Sequence, residues 1–400
     1  MVRETHPTYS PPSLFIMQDQ LKNERLYYLD WLRVFAVMLL IPYHTGAIFA
    51  NFDFHIKNKV TSAGITTIMG FIDNWHMPLF FLLAGASTWF ALKKRPPSAY
   101  IKERFLRLIV PLVFGMLVIV PPQTFCEKIQ KYGFSGNYFD FYSHLFKGVF
   151  PEGNLTWNHL WFLFYLFVIS IAVLPLILKW KGGRGAAALE SFCAWLAKGR
   201  RFFLLSLPLA IIQMTLKVPY PGPQNIVSDW ARILFMLFIF LYGVLFYIFP
   251  WFQESLERNL NVALAVGAAI SICYLGLYFL GYRFVNGYNL PNLMQLGLNS
   301  VATLCWLIVL IGFAQRTLNF SNQFLDYTSD AVLPVYIIHQ TVIIVLGYYI
   351  VGAELHLITK FAIINILSFI IVVAIYDIII RRFEVMRVLL GMRPLQKKIS

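Results

Sequence analysis

The sequence predicts an all-α protein, a polytopic membrane helical bundle of about ten transmembrane helices with both termini in the cytoplasm. Three observations lead there. Of 400 residues, 58% are hydrophobic and only 13% charged, with 37 Phe, 21 Tyr and 10 Trp, and the mean hydropathy is +0.65. Soluble domains carry about 25% charged residues, so this chain has too little polar surface to cover several cores. Ten stretches approach the roughly 20 apolar residues that a helix needs to cross the hydrocarbon core. Finally, the basic residues divide unevenly between alternate connections, as the positive-inside rule requires. A secreted disulfide scaffold, a cytosolic enzyme and a disordered chain are excluded.

In chain order the stretches are 31–50, 72–92, 105–122, 158–178, 202–218, 230–250, 260–281, 295–315, 331–350 and 358–380. They are long unbroken apolar runs, unlike the short alternating segments of a membrane barrel. With the N-terminus inside, 23 Lys and Arg fall on the cytoplasmic side and 8 outside. That asymmetry accounts for most of the +14 net charge without a nucleic-acid partner. The organisation is a cytoplasmic N-terminal tail (1–27), a transmembrane unit (28–383) and a basic cytoplasmic tail (384–400). The N-terminal tail lacks the apolar core and cleavage site of a signal peptide. The longest connection, 123–157, is expected outside, where long loops often serve as lids or substrate entrances. Gly182, Gly183 and Gly185 mark a flexible inner loop, and Pro219, Pro221 and Pro223 stiffen an outer one. Cys126, Cys193, Cys273 and Cys305 form no CxxC pair, so neither a disulfide framework nor a metal site is expected from them.

Charged and imidazole side chains within lipid are costly, and each is a functional hypothesis. In the first span Arg33 and His44 lie 11 residues apart. That is three helical turns plus about 20°, so both face one way, roughly 16 Å apart along the axis. Pro42 frees the carbonyl of Met38 and predicts a kink just below His44. Asp30 and Arg33 are at i, i+3, a spacing for an ion pair. His44 is either a structural histidine bonded to a neighbouring span or a functional base deep in the core. Arg104 and Arg107 open the third span at its cytoplasmic end; at i, i+3 they are expected to point together, where they suit a phosphate or simple anchoring. His76 and His159 begin spans from the outside, and an aromatic belt accounts for Trp161. His339 lies about eight residues into the ninth predicted span, either a second site histidine or a helix–helix contact. Asp377 and Arg381, at i, i+4, read as a structural pair. No HExxH, GxSxG or P-loop occurs.

Together these motifs resemble the acyltransferase-3 family of integral-membrane acyltransferases. The resembling pieces are Tyr28–Arg33 leading to His44 (an Arg-x10-His pattern), Met77–Gly85, Arg104-x-x-Arg107 followed by Pro111, His159–Leu163 and Tyr336–Gln340. They run in family order over most of the chain. Leu40–His44 is similar to the branch containing the periplasmic-glucan succinyltransferase. Ala84-Gly85 departs from the Ser-Gly often found there, and the extracytoplasmic hydrolase-like domain of some relatives has no counterpart.

The resemblance implies a cytoplasmic acyl-CoA donor and an acceptor hydroxyl, usually on a sugar, outside. Carried over by motif, His44 and Arg33 form the catalytic pair, with Asp30 supporting Arg33, and Arg104 and Arg107 join Arg33 at the donor site. His76, His159, Trp161 and His339 are the expected acceptor-binding residues. The expected partners are acyl-CoA, an extracytoplasmic glycan and membrane lipid, with no metal and no nucleic acid, in the inner membrane. The arrangement expected is a narrow slot through the bilayer, with Arg33, Arg104 and Arg107 at its inner mouth and His44 toward its outer end, up which the pantetheine arm threads. A transporter of a polysaccharide or lipid-linked sugar would use the same slot as a conduction path. A scaffold or sensor leaves the buried histidines and arginines unexplained.

Overall fold

The computed structural model describes residues 25–149, 153–181, 186–222, 228–249 and 251–394. Most of the N-terminal tail, residues 182–185, Pro223 and the last six residues lie outside that set, and with them Arg3, Lys22, Arg184, Lys397 and Lys398. Among the described residues the chain is helical, apart from an isolated bridge between Val149 and Leu155. Eight helices are long and apolar enough to cross a membrane: Tyr27–Phe49, Ala63–Lys94, Pro97–Tyr132, Trp230–Ile248, Trp251–Phe279, Leu290–Thr317, Gln323–Ile350 and Leu357–Ile380. A ninth, Asn158–Ala172 with Leu174–Lys181, bends by 42°, where Pro175 has no N–H to bond Ile171.

The stretch predicted at 202–218 is a 3-10 segment, Gly199–Leu205, running into the α-helix Ser206–Leu216. At the rises of the two helix types these 18 residues extend about 30 Å. Arg200 near its start donates to Asn259 Oδ1 at 2.8 Å, early in Trp251–Phe279. Thr215 near its end accepts from Tyr288 at 2.7 Å, beyond the far end of that same helix. The segment therefore runs from one end of the bundle to the other, a further candidate crossing beside the eight long helices and the bent pair, roughly consistent with about ten.

Several helices overrun their predicted starts. Trp251–Phe279 begins nine residues early because its polar first turns are bonded. Ser255 donates to the Ala197 carbonyl at 2.6 Å and Asn259 to that of Gly199 at 3.1 Å. Gln323–Ile350 is capped by Asn322, whose side chain accepts from Leu325 N, so His339 lies sixteen residues into its helix rather than eight. The 123–157 connection is not a long loop. Its first ten residues continue the third span as Pro121–Tyr132, and Tyr138–Ser143 forms a further helix behind an Asn137 capping box. Asp377 and Arg381 pair at 3.3 Å as predicted. All four cysteines are free.

Two features position the site. The first span breaks at Leu39, between Tyr27–Met38 and Leu40–Phe49, where Pro42 leaves the Met38 carbonyl without its i+4 donor. The second and sixth spans cross almost backbone to backbone. A Cβ on Gly85 would lie 2.0 Å from the Phe240 carbonyl oxygen, and one on Gly243 would lie 2.0 Å from that of Leu82. Small residues at such crossings permit the closest helix approach.

Candidate active site

At the end of the bundle where both described termini emerge lies a cavity of about 1580 Å³. Drug-sized pockets run to about 1,000 Å³, so this one admits a larger ligand. Ten Lys and Arg residues and four Asp and Glu line it, an excess of six positive charges. Asp30 and Arg33 come from the first span and Arg25 from just before it, Arg104 and Arg107 from the third, and Arg387 and Arg393 from the C-terminal segment. All but Arg33 of its basic residues belong to the set that the charge count placed on one side. The ninth span contributes Ser329 and Asp330 from its polar opening turns. The deep end is closed by Val37, Phe80, Phe162 and Tyr336.

The arginines are held in distinct ways. Arg33 pairs with Asp30 and donates to Ser87 Oγ at 2.5 Å and to the Leu83 carbonyl at 3.5 Å. Asp30 also pairs with Arg25 at 3.0 Å. Arg104 donates to Thr88 Oγ1 at 2.8 Å and lies over the Tyr100 ring. Arg107 donates to the Gly391 carbonyl at 3.0 Å and lies 3.7 Å from Glu103. The expectation that Arg104 and Arg107 point together is corrected here. Residues 105–109 form a π turn, and its i→i+5 bonding widens the helix, so an i, i+3 pair no longer shares a direction. Both still border the cavity, reaching it from different neighbours.

Behind the closed end sits a cluster of imidazoles. The His44 and His339 ring centres are 5.1 Å apart, and those of His339 and His159 are 5.2 Å apart. His339 Nδ1 lies 2.7 Å from the Tyr336 carbonyl, and His159 Nε2 lies 3.0 Å from that of Ile337. A carbonyl accepts only from N–H, so both rings hold their proton on that nitrogen and turn a lone pair the other way. Those opposite nitrogens, His339 Nε2 and His159 Nδ1, are buried and without a hydrogen-bond partner, as is His44 Nδ1. Tyr43 and Phe54 flank His44, with ring centres at 5.2 and 6.0 Å.

A polar shell fixes this cluster. Gln123 donates to Thr341 Oγ1 at 2.6 Å and accepts from Asn158 and Gln340, each at 3.1 Å. Asn158 has a φ of 42°, a left-handed conformation that Asn tolerates better than most residues. That turn, braced by the Thr156 hydroxyl on Asn158 Oδ1 at 3.0 Å, delivers His159 to the ninth span. Tyr336 completes the tie by donating to the His159 carbonyl. Sequence reasoning did not single out Gln123, Asn158, Gln340 or Thr341. The available signal was a polar side chain inside or beside an apolar run, which Asn158 and Gln340 display next to their histidines.

Other expectations are separated. Asp30 and Arg33 border the cavity, and among the described residues no hydrogen bond or ion pair joins either of them to His44; Asp30 is paired with both Arg25 and Arg33. His76 is buried rather than at the outer surface, and its Nε2 lies 2.7 Å from the Ala36 carbonyl. Trp161 is not in the histidine cluster. It packs edge-on against Tyr165, with Arg232 5.2 Å over its ring and Asp229 paired to Arg232 at 3.2 Å. The histidines do not line the arginine-bordered cavity. The continuous passage expected from the sequence is interrupted by the Phe80, Phe162 and Tyr336 layer, whose rings lie 5.3 Å from His76 (Phe80) and 5.8 Å from His159 (Tyr336). Among the described residues no group of three His, Cys, Asp or Glu is arranged to hold a metal ion.

The acyltransferase-3 model, described as an acyltransferase domain, matches residues 26–377. Glucans biosynthesis protein C of Escherichia coli O139:H28 (strain E24377A / ETEC) and of Escherichia coli (strain K12) are each 24% identical over 345 residues, covering 82% of this chain and 84% of the relative. The protein of that name from Salmonella schwarzengrund (strain CVM19633) matches to the same extent. No solved structure matches. The chain is a multi-pass integral membrane protein and belongs to the acyltransferase-3 family.

Proposed function

We propose that this acyltransferase moves an acyl group from cytoplasmic acyl-CoA to a hydroxyl of an extracytoplasmic glycan, within the cell's inner membrane. The observation that carries the reading is the stacking of two unlike sites along one axis. A large cationic cavity ends one aromatic layer below an imidazole cluster with unpartnered nitrogens. Guanidinium groups bind phosphates bidentately, so Arg33, Arg104 and Arg107 suit the phosphates of CoA. The narrow pantetheine arm then points at Phe80, Phe162 and Tyr336, which must part to bring the thioester to His44.

At that depth His44 is the general base. Unlike the other two rings, it has no nitrogen committed to a backbone carbonyl. It takes the proton as the acceptor oxygen attacks the thioester carbonyl carbon. The carbon–sulfur bond breaks, the proton passes to the thiolate, and ester and free CoA are the products. The glucans in the relatives' name support a sugar as acceptor.

The test uses the full-length protein in proteoliposomes, with radiolabelled acyl-CoA on one side and a soluble glucan on the other. Label appears on the glucan if the reading is right, and consumption of neither substrate overturns it. Arg104→Ala is expected to weaken donor binding about 10–100-fold, the worth of a charge-assisted hydrogen bond, with kcat little changed. Unchanged KM for the donor removes Arg104 from the phosphate site. Asp30→Asn is expected to change kcat/KM by no more than about fivefold, the scale of a partly exposed ion pair. A loss of several hundredfold would return Asp30 to the catalytic group.

A further inference from the structure

We infer that the His44–His339–His159 cluster is an acceptor subsite that selects a diol, an acylated hydroxyl with a second hydroxyl beside it, over an isolated alcohol. The inference rests on the proposed transfer to a hydroxyl and adds what that hydroxyl's neighbour must be. His339 is fully buried and His159 nearly so. Each has its proton committed to a carbonyl of the ninth span, at 2.7 and 3.0 Å, so each presents a fixed lone pair. A buried acceptor without a donor costs the full desolvation of that group. Two such acceptors and the unpartnered His44 Nδ1, from three different spans and on successive rings about 5 Å apart, are therefore matched to a ligand that brings more than one donor.

The chemistry of the ligand follows from that arrangement. A carboxylate offers no donor, and a phosphate brings a negative charge that burial disfavours. An ammonium group offers donors but would place a charge in a buried cluster where desolvation is expensive; of the acids on this side, Glu127 in the helix Pro121–Tyr132 is engaged by His55 at 2.6 Å and Lys131 at 3.2 Å, and Asp73 accepts from Tyr43 at 3.3 Å. The surrounding Gln123, Asn158, Gln340 and Thr341 are bonded to one another. They hold the rings in place. Neutral adjacent hydroxyls fit. One donates to His44, which removes its proton, and its neighbour donates to His339 Nε2, fixing which oxygen is presented. His339 is thus a binding and specificity residue, and sites built to hydrogen-bond a substrate hydroxyl reject analogues that lack it.

The experiment pairs substrate and protein deletions. Transfer from acetyl-CoA or succinyl-CoA by the full-length protein in nanodiscs is measured with methyl β-D-glucoside, its monodeoxy derivatives and propan-1-ol. In the wild type at least one monodeoxy derivative should lose about tenfold or more in kcat/KM. In His339→Leu that derivative and the parent should become equivalent, while His339→Gln, which keeps an acceptor near the Nε2 position, should preserve part of the difference. A structural role lowers all acceptors together and leaves their ratios unmoved, and that result overturns the inference. Independently of any transfer, ¹⁵N resonances of the imidazoles should shift on adding the glucoside but not propan-1-ol. Absence of that shift also overturns it. Glucoside-dependent shifts without transfer to any acceptor would defeat the proposed function and leave the diol site standing. Transfer with no dependence on a neighbouring hydroxyl would do the reverse.

Discussion

Replacing His44 with Ala lowers acyl transfer by about 10²–10⁴-fold, the range that a positioned general base supplies, while expression level and thermal midpoint stay near those of the wild type. The stability half of this expectation comes from the geometry. His44 Nδ1 has no hydrogen-bond partner to lose, and the ring is partly exposed. Donor affinity should be unchanged, because the cationic cavity lies on the other side of the aromatic layer. Transfer rate, donor binding and thermal unfolding of the purified variant check the three together. Loss of folding, with activity per folded molecule retained, would make His44 a packing residue.

Gly243→Val should be among the most damaging substitutions for folding, although it touches neither substrate. Its Cβ would sit 2.0 Å from the carbonyl oxygen of Leu82 and 3.1 Å from Ala86 N. Those are backbone atoms, which cannot rotate aside as a side chain can. Overpacking a tight core typically costs about 1–3 kcal/mol, and a clash with a helix backbone belongs at or above the top of that range. The second and sixth spans must separate, and the second span carries Phe80, Leu83 and Ser87 into the cavity wall. A lowered thermal midpoint with proportionate loss of folded yield is expected. A midpoint within a degree or two of wild type would mean that the crossing is looser than described.

Much of this architecture was legible in the chain. Long apolar runs gave the helical character, the approximate number and the order of the passes, because an open sheet or irregular chain cannot satisfy its backbone in hydrocarbon at that length. Pro42 announced the break at Leu39 because a missing N–H acts locally. The Asp30–Arg33 and Asp377–Arg381 pairs were legible for the same reason, since i, i+3 and i, i+4 spacings are properties of one helix. What depends on contacts between helices was not. His339 could be placed on its span, but its meeting with His44 and His159 depends on how three spans cross. The face shared by Arg33 and His44 suggested partnership, yet one ends at Ser87 and the other among imidazoles. The π turn that parts Arg104 from Arg107 has no periodicity to betray it, and the layer of Phe80, Phe162 and Tyr336 looks in sequence like ordinary apolar filling.

That layer is where the proposed chemistry is most exposed to refutation. The most direct measurement is an electron cryo-microscopy structure of the full-length protein in nanodiscs with a non-hydrolysable thioether analogue of acyl-CoA. The result expected is phosphate density among Arg33, Arg104 and Arg107, with Phe80, Phe162 and Tyr336 displaced and the thioether sulfur beside His44. A ligand that ends within the cavity below an unmoved aromatic layer, or one that binds at the opposite end of the bundle, contradicts it.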